Sequence, residues 1–199
     1  MLKEFEMTDL GLMTYFLGLE VRQQRNEIFI CQRKYAMEIL KKFRMENCKA
    51  VETPMQAKVT FCKDDGAAKV EENLYKSMIG CLMYLTASRP DIVHAVSLLS
   101  RFMHCANEKH LQATKRILRY VKGTVDCGVK YAKSDQLQLV GFSDSDYESS
   151  TDDMKSTTGY CFNLSSGMIS WCLKKQKIIA QSTIEAEFVV ATAAANQAI

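Results

Sequence analysis

Apolar residues along the chain recur with two different periods. Tyr35, Ile39 and Phe43, with Leu40 beside them, follow a helical spacing and predict an amphipathic helix over 33–45. Leu74, Met78, Leu82 and Leu85 predict a second helix over 74–87. Arg89-Pro90-Asp91 ends it and starts a third, running to about Met103, with proline and an acid suited to a first turn and Ile92, Val96, Leu99 and Phe102 or Met103 inward. Leu111, Ile117, Leu118 and Val121 predict a fourth over 110–122, stopped by Gly123. Before these helices, Thr14–Val21 and Ile28–Cys31 are short aromatic and apolar runs either side of Arg25-Asn26-Glu27, which predicts a β-hairpin. Residues 1–10 suggest the end of a helix, broken at Gly11.

After the fourth helix the pattern turns to strands. Cys127–Tyr131 is a short one, and Lys133-Ser134-Asp135 is a turn and a candidate domain boundary. Leu137–Ser143, Thr158–Leu164 and Met168–Leu173 follow as three strands, the last extendable through Ile178-Ile179-Ala180, with Ser165-Ser166-Gly167 as a tight hairpin. Ser182 or Thr183 caps an alanine-rich helix over 185–199, with an acid in its first turn. Residues 49–72 carry the breakers Pro54 and Asp64-Asp65-Gly66 and no clear period. A connection of this length is expected to wrap a neighbouring surface. The elements together predict an α/β (α+β) chain in two parts, 1–134 and 135–199.

Composition narrows the class. No stretch reaches the roughly 20 apolar residues of a bilayer span, and the N-terminus lacks the apolar core of a signal peptide. An intracellular, cytoplasmic protein without a membrane partner is expected. The eight cysteines show no C-x-x-C pair or clustered spacing, so they are read as reduced core thiols rather than a disulfide or zinc framework. The net charge of +3 divides unevenly. Residues 1–134 hold 22 basic and 15 acidic side chains, and residues 135–199 hold 4 and 8. The basic part is suited to a polyanion and the acidic part to cations, although two ordinary protein surfaces give the same count.

Two places carry candidate chemistry. Lys115, Arg119 and Lys122 form a stripe on the fourth helix, with Arg116 adjacent. This stripe suits phosphate contact and equally the macrodipole at a helix C-terminus. The second place is Asp144, at the end of a strand, together with Glu187 on the last helix. Paired acids on a strand end and a helix start are what a Mg²⁺ site for two-metal phosphoryl transfer is built from, although two ions need more than two carboxylates. Asp146, Glu148, Asp152, Asp153 and Glu185 are close in sequence. On spacing alone these are turn aspartates and a helix-start acid.

Several blocks, in order, resemble the copia-type retrotransposon Pol polyprotein. They are Met7-Thr8-Asp9-Leu10-Gly11 with Tyr15-Phe16-Leu17-Gly18, Gln32-Arg33-Lys34-Tyr35, Thr53-Pro54-Met55, Tyr75-Lys76 through Tyr84-Leu85, Arg89-Pro90-Asp91-Ile92, and Lys115-Arg116-Ile117-Leu118-Arg119-Tyr120. The last runs from Gly141-Phe142-Ser143-Asp144 through Lys155-Ser156-Thr157-Thr158-Gly159-Tyr160, Ile169-Ser170-Trp171 and Lys174-Lys175-Gln176-Lys177 to Glu185-Ala186-Glu187. The resemblance covers essentially the whole chain.

It implies the end of a reverse transcriptase running into ribonuclease H. Residues 1–134 would be a helical thumb- or connection-like region with a β-hairpin. Residues 135–199 would be a partial ribonuclease H-like fold, a three-stranded antiparallel meander plus its first helix. Asp144 and Glu187 then resemble the first and second ribonuclease H carboxylates, ligands of Mg²⁺, and Phe16-Leu17-Gly18 the hairpin that grips a primer strand. Lys115, Arg119 and Lys122 would face nucleic acid, and the implied partners are an RNA–DNA hybrid and the remainder of the Pol polyprotein. The chain departs from the family at Tyr147 (usually tryptophan), Met154 (arginine), Gln181 (leucine) and Ile184 (threonine). The paired polymerase aspartates would precede residue 1, and the third and fourth ribonuclease H acids would follow Ile199. The expectation is therefore a parent that copies RNA into DNA and cleaves the RNA of the hybrid, and a chain inactive by itself. A non-catalytic nucleic-acid-binding remnant or a functionless relic are the other readings. Leu137–Ser143 is expected to be an exposed apolar edge and an association site.

Overall fold

The structure is a computed structural model describing residues 11–56, 59–64, 66–147 and 152–199. The expected helix end at 1–10, the Met7–Leu10 block and Glu148 lie outside the described residues. The described residues build two antiparallel sheets and five α-helices, an α+β arrangement.

The first sheet has the order β1 (Tyr15–Phe16), β2 (Leu19–Gln24), β3 (Glu27–Cys31) and β4 (Gly128–Ala132). The single strand expected over 14–21 is in fact two. Leu17 (φ 46°) and Gly18 (φ 76°) both take the left-handed conformation and join β1 to β2 in a two-residue turn pairing Phe16 with Leu19. That geometry is the type I′ hairpin turn, whose twist matches the flanking strands. The strand expected at 127–131 is present as β4, paired with β3 from Ile30↔Val129 to Glu27↔Ala132.

Four helices form the main core. They are α1 (Arg33–Lys42), α2 (Glu72–Leu85), α3 (Val93–Ser100), preceded by a 3₁₀ turn at Pro90–Ile92, and α4 (Glu108–Gly123). Ile39, Leu40, Met78, Ile79, Leu82, Leu85, Val96, Leu99, Ile117 and Leu118 are fully buried among them. Helix α1 stops before the expected Met45 because Arg44 turns left-handed (φ 55°). Helix α3 ends at Ser100 rather than Met103, with Phe102 still buried in the following turns. On α2 the inward residue is Tyr75 and not Leu74, which is exposed; the Tyr75 hydroxyl donates to Leu99 O at 2.9 Å. Burial pushes the Tyr75 phenol up to about 12.

Helix α4 starts at a reciprocal cap. Asn107 Oδ1 accepts from His110 N (3.1 Å), and His110 Nδ1 accepts from Asn107 N (3.2 Å). The His110 ring stacks on Phe102 with centroids 4.1 Å apart. The long connection does wrap a neighbour: Phe61 packs beside Phe102 and His110, and Val70 N donates to Ala106 O.

The second sheet is the expected meander β5 (Leu139–Asp146), β6 (Thr157–Leu164) and β7 (Gly167–Lys175). The strand expected to begin at Leu137 begins at Leu139, and the extension of the last strand to Ala180 is absent, because β7 ends at Lys175. Ser182 caps α5 (Thr183–Ala198) through Oγ, which accepts from Glu185 N at 3.1 Å. Helix α5 lies against β5 and β6 and buries only Ala186 and Val190. Ile184 and Phe188 stay exposed.

The meander docks on the helices and on β4 through hydrogen bonds to backbone carbonyls. Trp171 Nε1 donates to Thr86 O (3.1 Å), Ser97 Oγ to Leu173 O (3.1 Å) and Tyr131 Oη to Met168 O (2.7 Å). Among the described residues β5 pairs with β6 alone, so its other edge is unpaired, with Leu139, Val140 and Phe142 exposed.

Candidate functional site

The meander register delivers Asp144 near the end of β5, opposite Gly159 of β6. The Ser182 cap fixes where α5 begins and so places Glu187 one turn into the helix. Glu187 reaches back to β5 at the residue beside Asp144. Glu187 Oε1 accepts from Ser145 Oγ at 2.6 Å and from Ser145 N at 3.2 Å. A helix carboxylate is thus held against the residue following Asp144, and both acids are exposed to solvent.

Three of the other acids near in sequence are used elsewhere. Glu185 Oε2 accepts from Gln181 N at 2.6 Å as part of the helix cap. Asp153 pairs with Lys175 at 2.6 Å, and Asp152 Oδ1 accepts from Lys63 N at 3.3 Å. Arg101 adds a cation to this loop by donating to Thr157 Oγ1 at 2.8 Å. Burial pushes its guanidinium down, while Asp153 and Asp146 act in the opposite sense. Among the described residues, no group of three or more His, Cys, Asp or Glu side chains is arranged to hold a metal ion. The described residues therefore do not fit a two-ion Mg²⁺ cage, which needs more carboxylates than Asp144 and Glu187.

Phe16, Leu17 and Gly18 form the tip of the β1–β2 hairpin. Leu17 is 73% exposed, and its carbonyl accepts from Tyr84 Oη at 2.6 Å. A Cβ on Gly18 would lie 2.6 Å from the same Tyr84 oxygen, so glycine is required there by contact as well as by its φ of +76°.

The α4 cations behave differently from one another. Arg119 Nε donates to Lys49 O at 2.7 Å, and Arg116 Nη2 donates to Thr53 Oγ1 at 2.9 Å. These two residues line a groove between α4 and the 45–61 connection together with Lys115 and Lys109, whereas Lys122 does not line it. The sequence reading placed Arg116 beside the stripe without counting it as a member. The signal was its spacing, three residues before Arg119 and seven after Lys109, on one helical face.

The family description "Reverse transcriptase (RNA-dependent DNA polymerase)" matches residues 1–57. The Pol polyprotein of transposon TNT 1-94 from Nicotiana tabacum is 39% identical over 99% of this chain and 15% of its own length. The Pol polyprotein of transposon RE1 from Arabidopsis thaliana is 39% identical over 94% of this chain and 13% of its own. An uncharacterized mitochondrial protein of Arabidopsis thaliana is 37% identical over 92% of this chain and 76% of its own. No solved structure matches the chain significantly. The chain belongs to the copia-type retrotransposon Pol polyprotein family. It spans about one-seventh of the Pol polyproteins it matches.

Proposed function

We propose that this chain is the segment of a retrotransposon RNA-directed DNA polymerase that passes from the end of the reverse transcriptase into ribonuclease H. It engages an RNA–DNA hybrid or a related nucleic acid. The α1–α4 bundle with the β1–β4 sheet acts as the thumb- or connection-like part, and β5–β7 with α5 as the ribonuclease H-like part. The observation that supports the reading is the hydrogen bonding of Glu187, on α5, to Ser145, the residue after Asp144 on β5. The two candidate acids thus lie on adjoining elements in a member of this family.

The chain by itself binds nucleic acid and does not cut it. Its own residues hold the partner through cations, with Lys115 and Arg119 contributing salt-sensitive contacts to phosphate. Asp144 and Glu187 supply two carboxylates and no more, so Mg²⁺ in the intact polyprotein would need further ligands, and the remainder of the Pol polyprotein is the natural source.

The test uses a labelled RNA–DNA hybrid and the purified chain, with Mg²⁺ or Mn²⁺ added. The expected result is binding that weakens as salt rises and RNA that stays intact. Cleavage that disappears in Asp144→Asn would overturn the inactivity, and absence of binding at low salt would overturn the partner.

A further inference from the structure

One face of α4 does not lie open to solvent. Together with Met45 and residues 54–56 and 59–61 of the connection it encloses a groove of about 570 Å³, within the roughly 300–1,000 Å³ range of small-molecule sites. Its two sides differ in chemistry. Met45, Met55, Val59 and Phe61 make it apolar on the side of the connection, and Lys115, Arg116 and Arg119 make it cationic on the helix side. No Asp or Glu is among the lining residues. None of these three cations forms an ion pair with a described carboxylate. Arg116 also keeps a buried Nε–H that has no acceptor. Burying a donor without an acceptor costs about 1–3 kcal/mol, which an anion in the groove would relieve.

An occupant that matches both sides has an apolar body and a negative charge. Gln56, Thr60 and Gln112 add side chains that both donate and accept hydrogen bonds. Paired duplex offers its phosphates to such a surface and keeps its bases stacked inside, so it leaves the apolar side unused. An unpaired nucleotide uses both sides.

We propose that the groove holds one unpaired nucleotide of a single-stranded nucleic acid, its base against Met55 and Phe61 and its flanking phosphates on Lys115, Arg116 and Arg119. This rests on the nucleic-acid reading above and specifies the strand state that the α4 surface selects. Basic grooves with apolar or aromatic platforms are the general design for single strands, and the base contributes independently of sequence.

The experiment is fluorescence anisotropy on the full chain with three probes: a short labelled oligothymidylate, the same strand with abasic positions, and an RNA–DNA hybrid. The intact strand is expected to bind about tenfold more tightly than the abasic strand. Val59→Glu places a carboxylate in the groove and is expected to remove that advantage. Gln112→Glu, at an exposed position of α4, is expected to weaken the intact strand severalfold even if Val59→Glu does not fold. Equal affinity for intact and abasic strands, alongside tight hybrid binding, overturns the groove and leaves the hybrid reading standing. No binding to any probe at low salt overturns both. Displacement of the oligonucleotide by an acidic phenylalanine-containing peptide more effectively than by unlabelled oligonucleotide overturns the nucleotide assignment in favour of a protein partner.

Discussion

Arg89 is the residue on which the helical half most depends for its geometry. It is 2% exposed and makes two hydrogen bonds to Asp91, from Nε (2.9 Å) and Nη2 (2.7 Å). Two more go to Thr124, the C-cap of α4, from Nη1 to the carbonyl (2.8 Å) and from Nη2 to Oγ1 (2.6 Å). Tyr120 closes the cluster by donating to Asp91 Oδ2 at 2.9 Å, and its ring lies 5.6 Å from the guanidinium carbon. Burial alone would raise the Asp91 carboxyl, but Arg89 and then Tyr120 outweigh it and hold it below the usual carboxylate range.

Arg89→Ala removes all four bonds and leaves the Thr124 carbonyl and the Asp91 carboxylate without their main partner. Breaking a buried pair costs about 3–5 kcal/mol. Because the Asp91 side chain is 36% exposed, water recovers part of that, and about 3 kcal/mol is expected. For a chain of this size that lowers Tm by about 6–12 °C. Urea denaturation followed by circular dichroism measures it. Arg89→Met with Asp91→Leu should cost less than Arg89→Met alone, because the stranded charge goes too. The pH response has a fixed sign. The Asp91 carboxyl is depressed in the folded state, so the unfolded chain binds the extra proton first. The pair's stabilisation is present above about pH 4 and is lost as pH falls through the lower folded value. Arg89→Met should lack that acid-dependent loss. A cost under about 1 kcal/mol for Arg89→Ala, against the roughly 3 kcal/mol expected for this partly exposed pair, would refute the argument.

Gly18→Ala is expected to destabilise by about 1–2 kcal/mol, read by the same denaturation, because it strains a left-handed turn and presses on Tyr84. The penalty should shrink in a Tyr84→Phe background, where the crowding oxygen is gone. The unpaired β5 edge predicts concentration-dependent self-association, seen by light scattering after size exclusion. Phe142→Lys, at a side chain 56% exposed, should reduce it, since an edge charge discourages strand addition. Lys115→Ala with Arg119→Ala is expected to lower hybrid affinity and to flatten its salt dependence by about two units of log–log slope at most. An unchanged slope would remove these residues from the interface.

The legible parts of the molecule were those set by local pattern. The helix stripes, the Ser165–Gly167 hairpin and the Ser182 cap each follow from residues close in sequence. Asp144 and Glu187 stood out because one lies near the end of a strand and the other follows a cap, and only the family resemblance implied their roles. What joins Glu187 to β5, its bond from Ser145, depends on packing between residues 42 apart. Distance in sequence also hid the Arg89–Thr124 contact and the pairing of β3 with β4, since a propensity pattern carries no information about which remote partner is chosen. On α2 the period pointed to Leu74, and Tyr75 was chosen because its hydroxyl reaches a buried carbonyl while its ring fills the core. The turn at Leu17-Gly18 was hidden from the apolar pattern, because a left-handed leucine is rare, and only the family resemblance pointed to a hairpin there.

The central claim is that Asp144 and Glu187, on adjoining elements, do not by themselves complete a two-ion centre. Titrating Mn²⁺ into the chain and counting bound ions by water-proton relaxation tests it directly. The account predicts at most one weak site, with a dissociation constant on the order of millimolar, lost in Asp144→Asn. Two sites binding in the micromolar range would contradict it.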